Sequence, residues 1–181
     1  MSDDIRLADV LADIRRRGGI GTQDVADAIA HSDRFVRACP ADVTVGADLG
    51  SGGGLPALVL AVRRPYLELH LVERRATRAD LLRFGVAALD LAGRVHVHAE
   101  DVERFRARKI PVDLVTARSF AALDVTLVAA AGVLGSAGWV LISAPPTAVT
   151  VVDEQLHSLG LRAELQLDGV LRFVREDRIR S

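Results

Sequence analysis

Between Asp4 and Arg17 the apolar residues Ile5, Leu7, Ala8, Val10, Leu11 and Ile14 recur at helical spacing, and the pair Gly18-Gly19 ends the pattern. A second helical pattern, with Val25, Ala28, Ile29, Phe35 and Val36 on its apolar face, runs from an N-cap expected at Thr22 to Pro40. From Thr44 onward the texture changes to short apolar runs separated by helical stretches, the alternation of parallel strands with crossover helices. Strands are predicted near Val43–Leu49, Leu67–Val72, Val95–His98, Leu114–Ala117 and Gly138–Ser143. Helices are predicted between them, near Pro56–Arg63, Arg78–Leu91, Val102–Arg106 and Leu123–Val133. Beyond Pro145 and Pro146 a helix near Val151–Leu159 leads to two short runs, Ala163–Leu167 and Val170–Arg175, joined by the hairpin turn Asp168-Gly169. The expected architecture is an α/β doubly wound sheet of five parallel strands closed by a C-terminal antiparallel hairpin. A helical extension over residues 1–42 precedes this domain, which covers 43–181.

Composition narrows the class. A chain of 181 residues, half of them hydrophobic and 26% charged, suits one folded domain and excludes disorder, collagen and coiled coil as whole-chain readings. No apolar run has the length of a membrane span, and the chain opens with Asp3, Asp4 and Arg6 rather than a basic and then apolar signal stretch, so a soluble, cytoplasmic protein is expected. The single cysteine, Cys39, cannot form an internal disulfide and reads as a small buried thiol. With 23 basic and 24 acidic residues there is no overall pull on nucleic acid, so any such contact must come from a local patch. Lys109 is the only lysine, and the arginine richness reads as coding bias as much as function. His96 and His98 share a strand face, but no nearby cysteine or third ligand accompanies them and no metal site is expected. His31, His70 and His157 read as surface or boundary residues.

The most informative segment is Ala47-Asp48-Leu49-Gly50-Ser51-Gly52-Gly53-Gly54-Leu55-Pro56, at the end of the first predicted strand. Glycines there let the backbone turn tightly and approach a ligand with no Cβ in the way, and Pro56 suits the first turn of the following helix. Glu73 ends the second strand nineteen residues beyond Gly54, where a carboxylate is placed to hold both ribose hydroxyls of a nucleoside cofactor. The run Gly52–Ala57 also satisfies the dinucleotide pattern G-x-G-x-x-A. Asp48 favours S-adenosylmethionine instead, because an acid suits that cofactor's ammonium group and is a liability beside a pyrophosphate at a helix start. Asp101, after the third strand, is open to two compatible readings, an adenine contact and a helix N-cap. Together with the terminal hairpin these features indicate a class I methyltransferase, a Rossmann-like fold. Arg74, Arg75, Arg78 and Arg83 follow Glu73 and read equally as a phosphate-binding patch or a solvated helix face.

The run Asp48 to Pro56, then Glu73, then Asp101-Val-Glu-Arg-Phe105, then Asp113-Leu-Val-Thr-Ala-Arg-Ser-Phe120-Ala-Ala-Leu123, resembles the RsmG (GidB) family of small-subunit ribosomal RNA guanine-N7 methyltransferases. The Gly-Leu-Pro after the loop and the Ala-Arg-x-Phe-Ala-x-Leu segment carry most of the likeness, over roughly residues 44 to 143. The resemblance implies that Gly50 and Leu55 cradle S-adenosylmethionine, that Val102 and Glu103 lie beside its adenine, and that Arg118 stands next to the methyl donor. It also implies a ribosomal RNA or small-subunit partner. The chain departs from the family pattern at Ala30-His31-Ser32, at Ser119 and at Ile142 to Pro146. Methylation of guanine N7 needs no general base, which agrees with a fourth strand ending in Thr116-Ala117-Arg118-Ser119; Arg118 is then expected to orient the acceptor through its O6/N7 edge. Phe120 is the best-placed aromatic for stacking, while Trp139 reads as core. A methyltransferase acting on a small molecule, and a cofactor-binding protein without catalysis, remain the alternatives.

Overall fold

The computed structural model describes residues 3–144 and 153–177. Seven strands form one sheet in the order β3-β2-β1-β4-β5-β7-β6. The first five, β1 (Val45–Leu49), β2 (Glu68–Val72), β3 (Val95–His98), β4 (Leu114–Ala117) and β5 (Trp139–Ser143), are parallel. The last two, β6 (Leu161–Leu167) and β7 (Val170–Arg175), form an antiparallel hairpin whose second strand pairs with β5. The five-plus-hairpin sheet expected from the sequence is therefore present. The expected helix start at Val151 and the Pro145-Pro146 pair lie outside the described residues.

Helices cover both faces. On one side α1 (Asp3–Arg16), α2 (Val25–Ala38), α3 (Ala57–Arg63) and α4 (Ala76–Ala88) close over Leu69, Leu71 and Leu114. On the other, α5 (Val102–Ala107), α6 (Leu123–Val133) and α7 (Asp153–Ser158) close over Leu49, Val115 and Val140. The period-2 alternation of each strand divides its side chains between these two cores, which is why the parallel strands are apolar on both faces. Leu7, Leu11 and Ile14 of α1 are completely buried in the same core as Leu58, Leu60 and Leu82.

Several boundaries differ from the sequence reading for identifiable reasons. The cap of α2 is Asp24 rather than Thr22, its carboxylate accepting the Ala26 N–H at 2.8 Å. Pro56 sits at the N-cap of α3, one position before the helix. Helix α4 begins at Ala76 instead of Arg78 because Glu73 Oε1 accepts the Arg75 N–H at 2.8 Å and supports an earlier start. It ends at Ala88 rather than Leu91: Asp90 turns left-handed at φ +56° and the Leu91 N–H returns to the Val86 carbonyl, a Schellman-type stop without glycine. His70, expected at a surface or boundary, is only 6% exposed, packed among His96, His98 and Phe105. Burial, and then the neighbouring His98 and His96, push it down to about 4, so it is neutral near pH 7. Cys39 is buried, as expected, and burial raises its thiol to about 11.

Arginines from distant positions cap four helix C-termini. Arg64 donates to the Val36 and Cys39 carbonyls at the end of α2, Arg94 to Ala61 at the end of α3, and Arg6 to Ala88 at the end of α4. Arg175 donates to Ala131, Leu134 and Gly135 at the end of α6 and to Leu159 beyond α7. These are the carbonyls that a helix leaves unpaired, at its negative end. Replacing Arg175 with leucine removes every donor and leaves half-buried acceptors behind, so equilibrium urea unfolding should show a loss of about 2–3 kcal/mol. The lysine variant should recover only part of it, because a single ammonium cannot span the four carbonyls.

Candidate functional site

The strand order reverses between β1 and β4, and at such a switch point the loops leaving neighbouring strands part to form a crevice beyond their C-terminal ends. Here that crevice is a cavity of about 450 Å³. Gly50 enters from the end of β1, Glu73 from β2, Asp101, Val102 and Glu103 from β3, and Ser119, Phe120 and Ala121 from β4. Four loops far apart in sequence thus contribute to one wall, and the predicted residues Gly50, Glu73, Asp101, Val102 and Glu103 are brought together.

The glycine loop folds back on the end of β2. The Gly50 and Ser51 N–H groups both donate to the Val72 carbonyl, at 2.9 and 3.1 Å, and the Gly52 N–H donates to Glu73 Oε2 at 3.0 Å. The other oxygen of Glu73 takes the Arg75 N–H. One carboxylate, only 5% exposed, therefore joins the loop to the start of α4 while still facing the cavity. Gly53 packs directly on the link between α1 and α2: a Cβ there would stand 2.5 Å from the Gly19 carbonyl oxygen. Gly50 lies flat against Phe120, where a Cβ would come within 2.8 Å of the ring. The start of α3 is consequently covered, with Leu55 and Ala57 buried and Pro56 offering no N–H. That geometry disfavours a pyrophosphate at this helix start.

Not every predicted residue reaches the cavity wall. Leu55 is in the core beneath the loop, and Gly52 acts through its backbone bond to Glu73. Asp48 lies under the loop, 1% exposed, with Oδ1 accepting the Thr116 hydroxyl at 2.6 Å and Oδ2 without a partner among the described residues. Arg118, at the end of β4, turns toward the α1–α2 link, where Nη2 donates to Gln23 Oε1 at 3.0 Å and Nη1 is buried without a partner among the described residues. Burial lowers the Arg118 value, and the opposing pull of Asp48 shows that the two charges lie near each other. Asp101 serves as the N-cap of α5, accepting the Arg104 N–H at 2.8 Å, and also lines the cavity.

Of the arginine cluster, Arg74, Arg75 and Arg78 line the cavity, whereas Arg83 faces away and pairs with Asp80. The sequence reading missed Glu100, Val125 and the wall role of Ser119. Glu100 was accessible from its position at the end of the third strand, next to Asp101. It is held by Arg108 at 2.6 Å, and that hydrogen bond keeps its carboxyl below the usual range. Ser119 has no such signal, because its φ of +53° is a property of the folded backbone.

The family GidB, described as rRNA small subunit methyltransferase G, matches residues 11–145. A ribosomal RNA small subunit methyltransferase G from Rhizorhabdus wittichii is 44% identical over 77 residues, 42% of this chain and 35% of the relative. One from Thermotoga sp. is 34% identical over 121 residues, 66% of this chain and 53% of the relative. The aligned stretches thus span about half or less of these relatives' length. Among solved structures, cofactor-bound Rv0187 from MTB superposes with a TM-score of 0.69 at 16% identity, covering 95% of this chain and 90% of that one. An O-methyltransferase family protein from Burkholderia thailandensis gives 0.62 at 18%, over 81% and 56% of the two chains. The fold is that of the class I methyltransferases.

Asp48 makes the site's electrostatics testable. Burial raises its carboxyl from an ordinary 3.8 to about 6, against the smaller opposing effects of the Thr116 hydroxyl and Arg118. A raised acid costs nothing while protonated, below about pH 3.8; its cost grows as pH rises through about 6 and levels off near 3 kcal/mol. Asp48→Asn should therefore gain stability relative to the wild type between about pH 4 and pH 8, by about 2–3 kcal/mol, as read by urea unfolding at the two values. A constant difference across that range would show that the Asp48 carboxyl is not raised above its unfolded value.

Proposed function

The chain belongs to the GidB family, rRNA small subunit methyltransferase G, and from that premise we propose that it transfers a methyl group from S-adenosylmethionine to guanine N7 of small-subunit (16S) ribosomal RNA. The observation that carries the reading is the convergence on one cavity of Glu73, Asp101 and Gly50 of the glycine loop, two acceptors and a bare backbone of the kind that a nucleoside cofactor requires. The residues present fit that cofactor. Glu73 is buried yet open to the cavity, and each oxygen that accepts one backbone N–H keeps capacity for a ribose hydroxyl. The unpartnered Oδ2 of Asp48 suits the ammonium of the amino-acid end, below the turn formed by Gly50 and Gly52. Asp101, Val102 and Glu103 form the wall for the adenine, with one apolar side chain between two acids. Leu55 supports the loop from beneath.

When bound, S-adenosylmethionine supplies a methyl group on a positively charged sulfur. The protein's task is then to align donor and acceptor in line and keep water away. Arg118 is assigned to the acceptor's O6, which leaves the N7 lone pair free to take the methyl group. Its free Nη1 is the donor still to be used, while Gln23 holds the other. Arg74, Arg75 and Arg78 at the rim suit RNA phosphates, giving a local basic patch on a chain of net charge −1. Among the described residues no helix is long and apolar enough to cross a membrane.

Calorimetric titration tests the cofactor. S-adenosylmethionine should bind saturably and NAD should not, and Glu73→Gln should weaken binding by about 10- to 100-fold through loss of the charged acceptor. Binding of NAD in place of S-adenosylmethionine would refute the assignment. Arg118→Ala should keep cofactor affinity and lose most methyl transfer to unmethylated small ribosomal subunits; full transfer by that variant would remove Arg118 from the reaction.

A further inference from the structure

Helix α5 has a cavity at each end. At its start Asp101, Val102 and Glu103 line the large cavity, and at its end a second one, of about 330 Å³, opens between α5, the link to β4 and the last turn of α6. With six residues α5 is about 9 Å long, and as a crossover helix it ends at the edge of the sheet opposite the glycine loop. The floor of this second groove is apolar, from Ile110, Pro111 and Val133, and its polar side chains are Arg106 and Lys109. No described residue of the lining is acidic.

Both cations are left over from the pairing of their neighbours. Arg104 faces Asp101 at 3.9 Å and Arg108 holds Glu100 at 2.6 Å, whereas the Arg106 and Lys109 side chains make no hydrogen bond or ion pair among the described residues. Capping the carbonyls at the end of α6 would be the ordinary role for Arg106, but Arg175 already takes Ala131, Leu134 and Gly135. Arg106 is instead laid on the α6 backbone. Its Nη1, Cζ and Nε lie 3.2, 3.3 and 3.3 Å from the point where a Gly132 Cβ would stand, nearly equal distances that put the face of the guanidinium on the glycine. The residue is exposed, so the opposite face is left to solvent. Lys109 is the only lysine of the chain, and it occupies the position after the C-cap of α5 at φ +54°. Glycine is usual there, and a long side chain is strained.

We propose that this groove binds a nucleotide unit, with its ring stacked on the outer face of Arg106 and its phosphate on the Lys109 ammonium. A guanidinium plane is a stacking surface for a base, and seating it against a glycine fixes that plane before the ligand arrives. An ammonium is a compact point charge that suits a phosphate without demanding one orientation. Ile110 and Pro111 supply an apolar floor beside the two charges. The volume lies at the lower end of small-molecule sites, about 300–1,000 Å³, which suits a single nucleotide. Stacking accepts any base, so the groove reads a ring and a phosphate and not a sequence. A free nucleotide and one unit of an RNA strand present the same two groups. Because the groove lies at the other end of α5, the proposal holds whatever ligand the larger cavity takes.

Nuclear magnetic resonance titration of the full chain tests the site, because Gly132 lines this groove and not the larger cavity. Guanosine 5′-monophosphate should shift the Gly132 and Lys109 amides saturably, and guanosine or inorganic phosphate alone should bind at least about 10-fold more weakly. Lys109→Gly removes the charge and relieves the left-handed strain, so it should unfold at a higher urea concentration and still lose about 10-fold in nucleotide affinity. Gly132→Leu keeps both charges and fills the seat of the guanidinium; it should weaken the nucleotide by about 10-fold and leave inorganic phosphate unchanged. A single-stranded RNA pentamer that binds more tightly than the mononucleotide assigns the groove to an RNA strand, and one that binds no more tightly assigns it to the free nucleotide. The proposal is overturned if the mononucleotide does not shift Gly132, if guanosine or phosphate alone binds as tightly, or if either variant keeps the wild-type affinity.

Discussion

The Glu73 carboxylate is the point on which the site depends. It accepts the Gly52 N–H from the loop after β1 and the Arg75 N–H from the start of α4, so one side chain sets the spacing between the two elements that frame the cavity. A buried carboxylate costs free energy unless its oxygens are hydrogen-bonded, and the two backbone donors meet that cost while leaving acceptor capacity toward the cavity. The arrangement works only because the loop carries no side chains where it meets its neighbours. Gly53 lies on the Gly19 carbonyl and Gly50 on Phe120, and both contacts are closer than a Cβ permits. Through them the first two helices, the glycine loop and the β4 exit become one packed unit.

Stability and chemistry occupy opposite edges of the sheet. In a parallel α/β fold each crossover helix starts at the C-terminal edge and ends at the N-terminal one. The arginine caps Arg64, Arg94 and Arg175 close helix ends at the N-terminal edge, where Asp113 also accepts the Thr44 and Val45 N–H groups. At the C-terminal edge lie two buried polar atoms that have no partner among the described residues, Asp48 Oδ2 and Arg118 Nη1. An ionised, incompletely bonded Asp48 weighs against the folded state near neutral pH, and its position beneath the glycine loop accounts for that cost as a binding feature.

Much of the fold was legible because the relevant signals are local. Apolar periodicity marked all five parallel strands, and Asp168-Gly169 marked the hairpin turn. The boundaries that moved did so through contacts made in three dimensions. Glu73 supports the first turn of α4 across the chain, and Asp90 ends it in a conformation that sequence statistics assign to glycine. His70 looked like a boundary residue because a histidine in a strand carries no indication of whether others will flank it; His96 and His98 do so only after β2 and β3 pair. The arginine content read as coding bias because a cap contributed from tens of residues away leaves no local pattern.

By itself the sequence determined the order of elements, the place of the glycine loop and the acids that follow the second and third strands, since these depend on local spacing and on residue types with few alternatives. Tertiary structure decided which of those residues share a wall, that Arg118 turns toward Gln23, and that Ser119 takes a left-handed conformation at the cavity wall. The division has a physical cause. Periodicity and turn chemistry act over a few residues, whereas a cavity at a topological switch point exists only once β1 and β4 lie side by side and their loops diverge.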